Sequence, residues 1–214
     1  MKLSDVIAET RRLLQDINEP VRYSDALLLG FANQALKRMA VIRPDLFAYI
    51  GEIPTTAGTV IQGAPADSLR IIEILYVKDG NGITEVNRDM LDETYPVWMN
   101  DEAAPCVNWM RHVRNPNKFF VYPKAPVGQI LIGEYAKSPR EYTADETVEL
   151  LSDAYFPVVV DGTVYLAESI DNEHVNSNRA QLFQQSFTQA LGAGMQARVL
   201  TDVEDSGLPE NKVR

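Results

Sequence analysis

Cysteine is nearly missing: Cys106 is the only one in 214 residues. A disulfide framework within the chain is therefore excluded, and a thiolate zinc site is disfavoured. Such usage fits assembly in a reducing cytosol. Long hydrophobic runs are also missing, since no apolar stretch nears the roughly 20 residues that span a bilayer. The opening "MKLSDVIAETRRLLQD" mixes acids and bases into its apolar pattern, so no secretory leader is expected. A soluble chain without a membrane partner is the expectation. Basic residues are outnumbered, with 20 Lys and Arg against 30 Asp and Glu, for a formal net charge of −10. That balance disfavours a phosphate-binding module, which needs clustered bases. It leaves room for a protein past which DNA moves without sticking.

The sequence also lacks the standard chemical motifs. No Gly-rich phosphate loop is present. Gly192–Gly194 ("GAG") falls late in a helical stretch, not between strand and helix, and reads as packing or a helix end. Asp79–Gly82 ("DGNG") imitates the start of a calcium loop. It fails at Ile83, Thr84 and Met90, so a hairpin turn is the better reading.

What is present is a change of period along the chain. Leu3 to Ile17 has helical apolar spacing, with Ser4 or Asp5 as its cap and Asn18–Pro20 as its stop. A second helix is expected from Ser24, as N-cap, to Ile42. Leu27, Leu28, Phe31, Ala35, Leu36 and Met39 form its stripe, Asp25 suits its first turn, and Arg43–Pro44 ends it. From Phe47 to about Leu150 the period drops to two, in short β-branched and aromatic runs separated by Gly, Pro, Asn and Asp. "TVEL" at 147–150 reads as the last of these strands. "RDMLDETYPVWM" reads as one or two helical turns before Pro96.

After Ser152 the period returns to 3.6. One helix is expected to about Ile170, with Pro157 near its start and Gly162 as a weak point. Another is expected from about Asn176, with Ala180, Phe183, Phe187, Ala190, Leu191 and Gly194 on its stripe. The tail from Thr201 has no periodicity and reads as an extended arm.

The predicted fold class is therefore α+β. Helix pairs at 1–46 and 151–200 form one four-helix bundle, because neither pair buries its stripes alone. An antiparallel β-sandwich or small barrel is inserted at 47–150, and the arm occupies 201–214.

Lys118 to Arg140, "KFFVYPKAPVGQILIGEYAKSPR", reads as a hairpin that is apolar on both faces. Phe119 and Val121 alternate with Phe120 and Tyr122, and Ile130 and Ile132 alternate with Leu131 and Tyr135. A surface hairpin needs only one apolar face. Something must cover the other.

Candidates for chemistry are few. His112 and His174 are far apart and lack partners at metal-ligand spacing, and Cys106 matches no nucleophile signature. Asp161 interrupts an apolar helix start. It reads as a structural carboxylate paired with a base such as Arg38, rather than as a catalytic acid. The acid run Glu141 to Asp153 reads as a solvated connection, with a charge-repelling role toward DNA as the sharper reading. No residue set fills the roles of nucleophile, base and stabiliser, so neither an enzyme nor a cofactor or metal is expected. The alternative function is a nucleic-acid-binding module over Trp109–Lys124. There Trp109, Phe119, Phe120 and Tyr122, with Trp98, lie near Arg111, Arg114, Lys118 and Lys124.

Four stretches carry a family resemblance: "YSDALLLGFANQALKRMAVIRPDLF", "GAPADSLRIIEILYV", "NKFFVYPKAPVGQILIGEYAKSPR", and Leu151 to Gly192 beginning "LSDAYFPVVVDG". Together they resemble the head-to-tail adaptor proteins of tailed bacteriophages, of the podophage tail-tubular or head-completion type. The resemblance covers roughly Tyr23 to Gly192. Gly162 departs from the aromatic of the family pattern, and Glu168 and Ser169 depart as well. The resemblance implies a structural virion protein, assembled in the bacterial host cytoplasm. It would form a homo-oligomeric ring, commonly of twelve copies in that family, between the portal protein and the tail nozzle or tail tube protein. Double-stranded DNA would pass through it without specific binding. Leu200, Val203, Leu208 and Val213 would anchor the arm on the portal. Phe119, Phe120, Val121, Tyr122, Ile130 and Ile132 would serve the β core and the ring interface.

Overall fold

A computed structural model describes residues 1–18, 22–170 and 177–205. They form two compact units, one of residues 1–43 with 140–214 and the other of residues 44–139.

The first unit is helical. Helix α1 spans Leu3–Leu14, α2 Asp25–Ile42, α4 Phe156–Glu168 and α5 Ser177–Asp205. Helix α4 packs against each of the other three, and α1 also packs on α2. Ser24 caps α2 as its sequence predicts, accepting from the Leu27 N–H at 3.3 Å. The start of α1 differs from expectation. Lys2 is its N-cap, without a side-chain bond, and the Ser4 N–H is met by the Ala144 carbonyl at 2.8 Å. The helix also ends earlier, at Leu14, where Gln15 turns left-handed. Buried Asp16 then accepts from the Arg22 and Tyr23 N–H groups at 2.7 and 3.1 Å and pairs with Arg11. A carboxylate thus braces the turn after α1, while Pro20 of the expected stop lies outside the described residues.

Gly162 has a positive role in α4. A Cβ there would lie 2.8 Å from the Phe187 ring and 3.0 Å from Ala35 Cβ. Ala35 of α2 and Phe187 of α5 both close on this position, so an aromatic here is incompatible with this packing.

The segment from Arg140 to Leu150 belongs with the helices, not with a β region reaching 150. "TVEL" is no strand: Thr147 makes one isolated bridge with Lys2, and the Val148 N–H bonds to the Met1 carbonyl. The tail also differs from expectation, because α5 continues without a break to Asp205. Residues 201–205 are therefore helix, not extended arm, and Gly192–Gly194 lies inside a helix rather than at its end.

The second unit contains two sheets, not a closed barrel. Its strands are β1 Ala48–Pro54, β2 Ile61–Gly63, β3 Ser68–Val77, β4 Thr84–Glu85, β5 Asn108–Arg111, β6 Lys118–Tyr122 and β7 Ile130–Lys137. One sheet has the order β1-β7-β3 and the other β2-β6-β5-β4. All pairs are antiparallel except β4 with β5. Ile53, Ile71, Ile74, Trp109, Phe119, Val121, Leu131 and Tyr135 pack together as the core. Helix α3, Arg88–Thr94, forms where helical turns are expected before Pro96, and a 3-10 turn, Trp98–Asn100, follows it.

Strand β3 breaks the period of two. Its register against β7 slips between Ser68 and Arg70, Ile71 and Glu73, and Ile74 and Tyr76. Leu69, Ile72 and Leu75 are the extra residues, so burial recurs every third position. Bulges of this kind sharpen the twist of an edge strand.

Candidate functional site

Strands β6 and β7 do not pair, so the expected hairpin is absent. Each lies inside its own sheet, and Pro123 to Gln129 crosses between the sheets. Phe119 and Val121 point into the core shared with Leu131 and Tyr135 of β7. On the other face of β6, Phe120 packs with Trp98, Val60 and Met110, and Tyr122 rests against them. The Trp98 ring meets both Phe120 and Tyr122 edge-on, at 6.4 and 6.2 Å. Trp98 is fully buried, and its Nε1–H donates to Asp92 Oδ1 at 2.7 Å. The second apolar face of β6 is thus covered by the chain's own residues between β4 and β5. Phe119, Phe120 and Val121 are buried within this unit.

Strand β7 presents a different outer face. Ile132 and Ile130 are half-buried there, beside Tyr76 of β3 and Glu52 of β1. Ile50 and Tyr76 are exposed on the same face. Glycine faces glycine on the inner side, where Gly51 pairs with Gly133. A Cβ on Gly133 would lie 2.8 Å from Ile53 and 2.9 Å from the Glu73 carbonyl.

The basic and aromatic stretch resolves into two sets. Trp98, Trp109, Phe119 and Phe120 are core residues, not an exposed stacking platform. The charges gather at one end of the four-stranded sheet, around a groove of about 730 Å³. Arg111 binds both Glu85 oxygens, at 2.6 and 3.2 Å, donates to the Ile72 carbonyl and lies 4.9 Å over the Trp109 ring. Arg88 pairs with Asp92 at 3.2 Å and lies 4.8 Å over Phe120. His112 stacks on the same Phe120 ring, and its Nδ1 accepts the Asn115 N–H at 3.1 Å. Arg114 and Lys118 are exposed. The sequence reading missed Arg88 and Glu85, because only the parallel β4–β5 pairing brings them beside Arg111.

The remaining candidates are placed as follows. Cys106 is buried and donates to the Pro123 carbonyl at 3.4 Å, and burial pushes its thiol pKa up. Asp161 accepts from the Ser186 hydroxyl at 2.6 Å, not from Arg38. Arg38 instead meets Tyr165, lying 5.4 Å over its ring. Several carboxylates of the acid run are engaged internally. Glu146 accepts from the Thr143 N–H and pairs with Arg140. Its pKa is lowered by that backbone bond and then by Arg140. Glu141 pairs with Lys37, and Asp153 with the N-terminal amine. Leu200 and Val203 fall within α5, while His174, Leu208 and Val213 lie outside the described residues. No helix among the described residues is long and apolar enough to cross a membrane.

A family model described as SU10 adaptor protein matches residues 1–207. No match was found among curated proteins.

Proposed function

Because the chain belongs to the SU10 adaptor protein family, a phage head-to-tail adaptor family, we propose that it forms a ring between portal and tail and lines the DNA channel. The match over residues 1–207 is the observation that supports this reading and a structural role in the virion. Its work there is non-enzymatic. Twelve copies is the proposed number, with the tail nozzle or tail tube protein on the far side.

Ring contacts are heterologous, so one patch must receive a different one. The exposed Ile50 and Tyr76, with half-buried Ile132, make the outer face of β1-β7-β3 the proposed donor patch. Phe119, Phe120 and Val121 support the ring only indirectly, by fixing the sheet that carries the patch. A net charge of −10 suits a channel that must not retain passing phosphates. The C-terminal segment from Thr201, which includes Leu208 and Val213, is the proposed portal anchor.

The test is particle imaging of the purified chain mixed with the portal protein of the same phage. Rings stacked on the portal are expected. Deleting residues 201–214 should abolish stacking, whereas normal stacking of the truncated chain would remove the anchor from the mechanism. Persistently single copies beside intact portals would end the ring reading. The nucleic-acid alternative has less support, since its aromatics are interior and Arg88 and Arg111 already hold carboxylates.

A further inference from the structure

We propose that the groove at the end of the four-stranded sheet docks a carboxylate-bearing segment of another polypeptide. The inference rests on the adaptor reading only for expecting a protein partner. The local charge carries the rest. The groove adjoins a second depression, and the two share Arg111, His112 and Val113. Around them stand Arg70, Arg88, Arg111, Arg114 and Lys118, against three carboxylates, Glu85 and Asp89 in the lining and Asp92 behind Arg88. This is a positive island on a chain of net charge −10.

The island is partly preorganised. Glu85, the Ile72 carbonyl and Trp109 fix the Arg111 guanidinium, while Asp92 and Phe120 fix Arg88. Both guanidiniums already hold carboxylates, so they fix the walls of the groove rather than take the incoming one. Arg70, Arg114 and Lys118 are in no ion pair among the described residues and are the cations left to engage one, with Arg114 and Lys118 flanking the shared wall.

Three features select a polypeptide over nucleic acid. A duplex carries phosphates far beyond one groove, and a strongly acidic surface repels them over a Debye length of about 8 Å. A short acidic segment needs only the island. Single strands gain affinity by stacking, but Trp98 and Trp109 are buried and the Phe120 ring is already engaged by His112 and Arg88. Finally, Val113 is 98% exposed at the rim, an aliphatic contact that a peptide side chain can meet and a phosphate cannot.

The experiment uses the full chain without portal, so an absent ring and an empty groove are separate outcomes. The probe is a short fluorescein-labelled peptide alternating glutamate and leucine, followed by anisotropy, with a labelled DNA duplex as the second arm. The protein's net charge opposes peptide capture everywhere except at the island. Binding at low salt that weakens as salt rises is expected. The double variant Arg114→Glu with Lys118→Glu should weaken it about tenfold or more, that is, by about 1.4 kcal/mol. The control Lys2→Glu with Arg12→Glu makes the same change in net charge on the helical unit and should leave binding unchanged. Circular dichroism should show all variants folded. Absence of peptide binding at low salt overturns the proposal. So does tighter capture of the duplex, or peptide binding that survives the double variant or falls equally in the control.

Discussion

Asn33 of α2 holds the backbone of Tyr142 in both directions. Its amide nitrogen donates to the Tyr142 carbonyl at 2.9 Å, and its oxygen accepts the Tyr142 N–H at 2.8 Å. Both residues are buried and 109 positions apart in sequence. The side chain thus acts like a neighbouring strand for a segment that has none. Asn33→Ala would remove both buried bonds to the Tyr142 backbone, at about 2–4 kcal/mol together. Urea denaturation followed by circular dichroism measures this, and an unshifted midpoint would show the pairing to be dispensable.

Two glycines should respond oppositely to alanine. At Gly162 the new methyl meets Phe187 and Ala35 at 2.8 to 3.0 Å. Overpacking of about 1–3 kcal/mol should exceed the helix-propensity gain of about 1 kcal/mol. At Gly192 nothing lies within 4 Å, so Gly192→Ala should raise stability by up to about 1 kcal/mol. Thermal melts of the two single variants decide it. A melting temperature that rises in both would mean that the helices give way around Gly162.

Trp98→Ala removes the cover over Phe120 and leaves Asp92 without its indole donor. A loss of about 3–5 kcal/mol is expected, typical of emptying a buried tryptophan site. Increased binding of a hydrophobic dye should accompany it. A variant as stable as the parent would show that something else shields the outer side of β6.

Asp101 accepts from the hydroxyls of Tyr95 at 2.6 Å and Tyr122 at 2.8 Å. The Tyr95 bond, then the Tyr122 bond, holds its carboxyl below the usual carboxylate range. The same carboxylate pushes both phenols above theirs. For Asp101 the folded state favours the charged form. Its contribution is present above the ordinary carboxylate pKa and fades as pH falls through the lowered value. For the tyrosines the folded state favours the neutral form. Their contribution is present below about pH 10 and is lost as pH rises through the raised values. Asp101→Asn should therefore flatten the dependence of melting temperature on pH at both the acid and alkaline ends. Parallel profiles for variant and parent would show the trio contributes nothing.

What the residues determine alone is local. The spacing of Leu28, Ala35 and Met39 makes α2, and Ser24 starts it, because helix period and capping depend on neighbours within a few positions. The return of the helical period after Ser152 and the change to short strands after Phe47 are legible for the same reason, and quoted stretches of the chain carry the family resemblance. Tertiary structure alone decided which strands pair. Nothing in "KFFVYPKAPVGQILIGEYAK" distinguishes a tight hairpin from two strands of different sheets, since both show apolar alternation on either side of a connection rich in Pro and Gly. Likewise Asn33 and Glu85 look like surface polar residues until Tyr142 and Arg111 arrive beside them. Hydrogen-bond partners and buried faces are set by non-local geometry, and an amino-acid period records only that a face is covered, not what covers it.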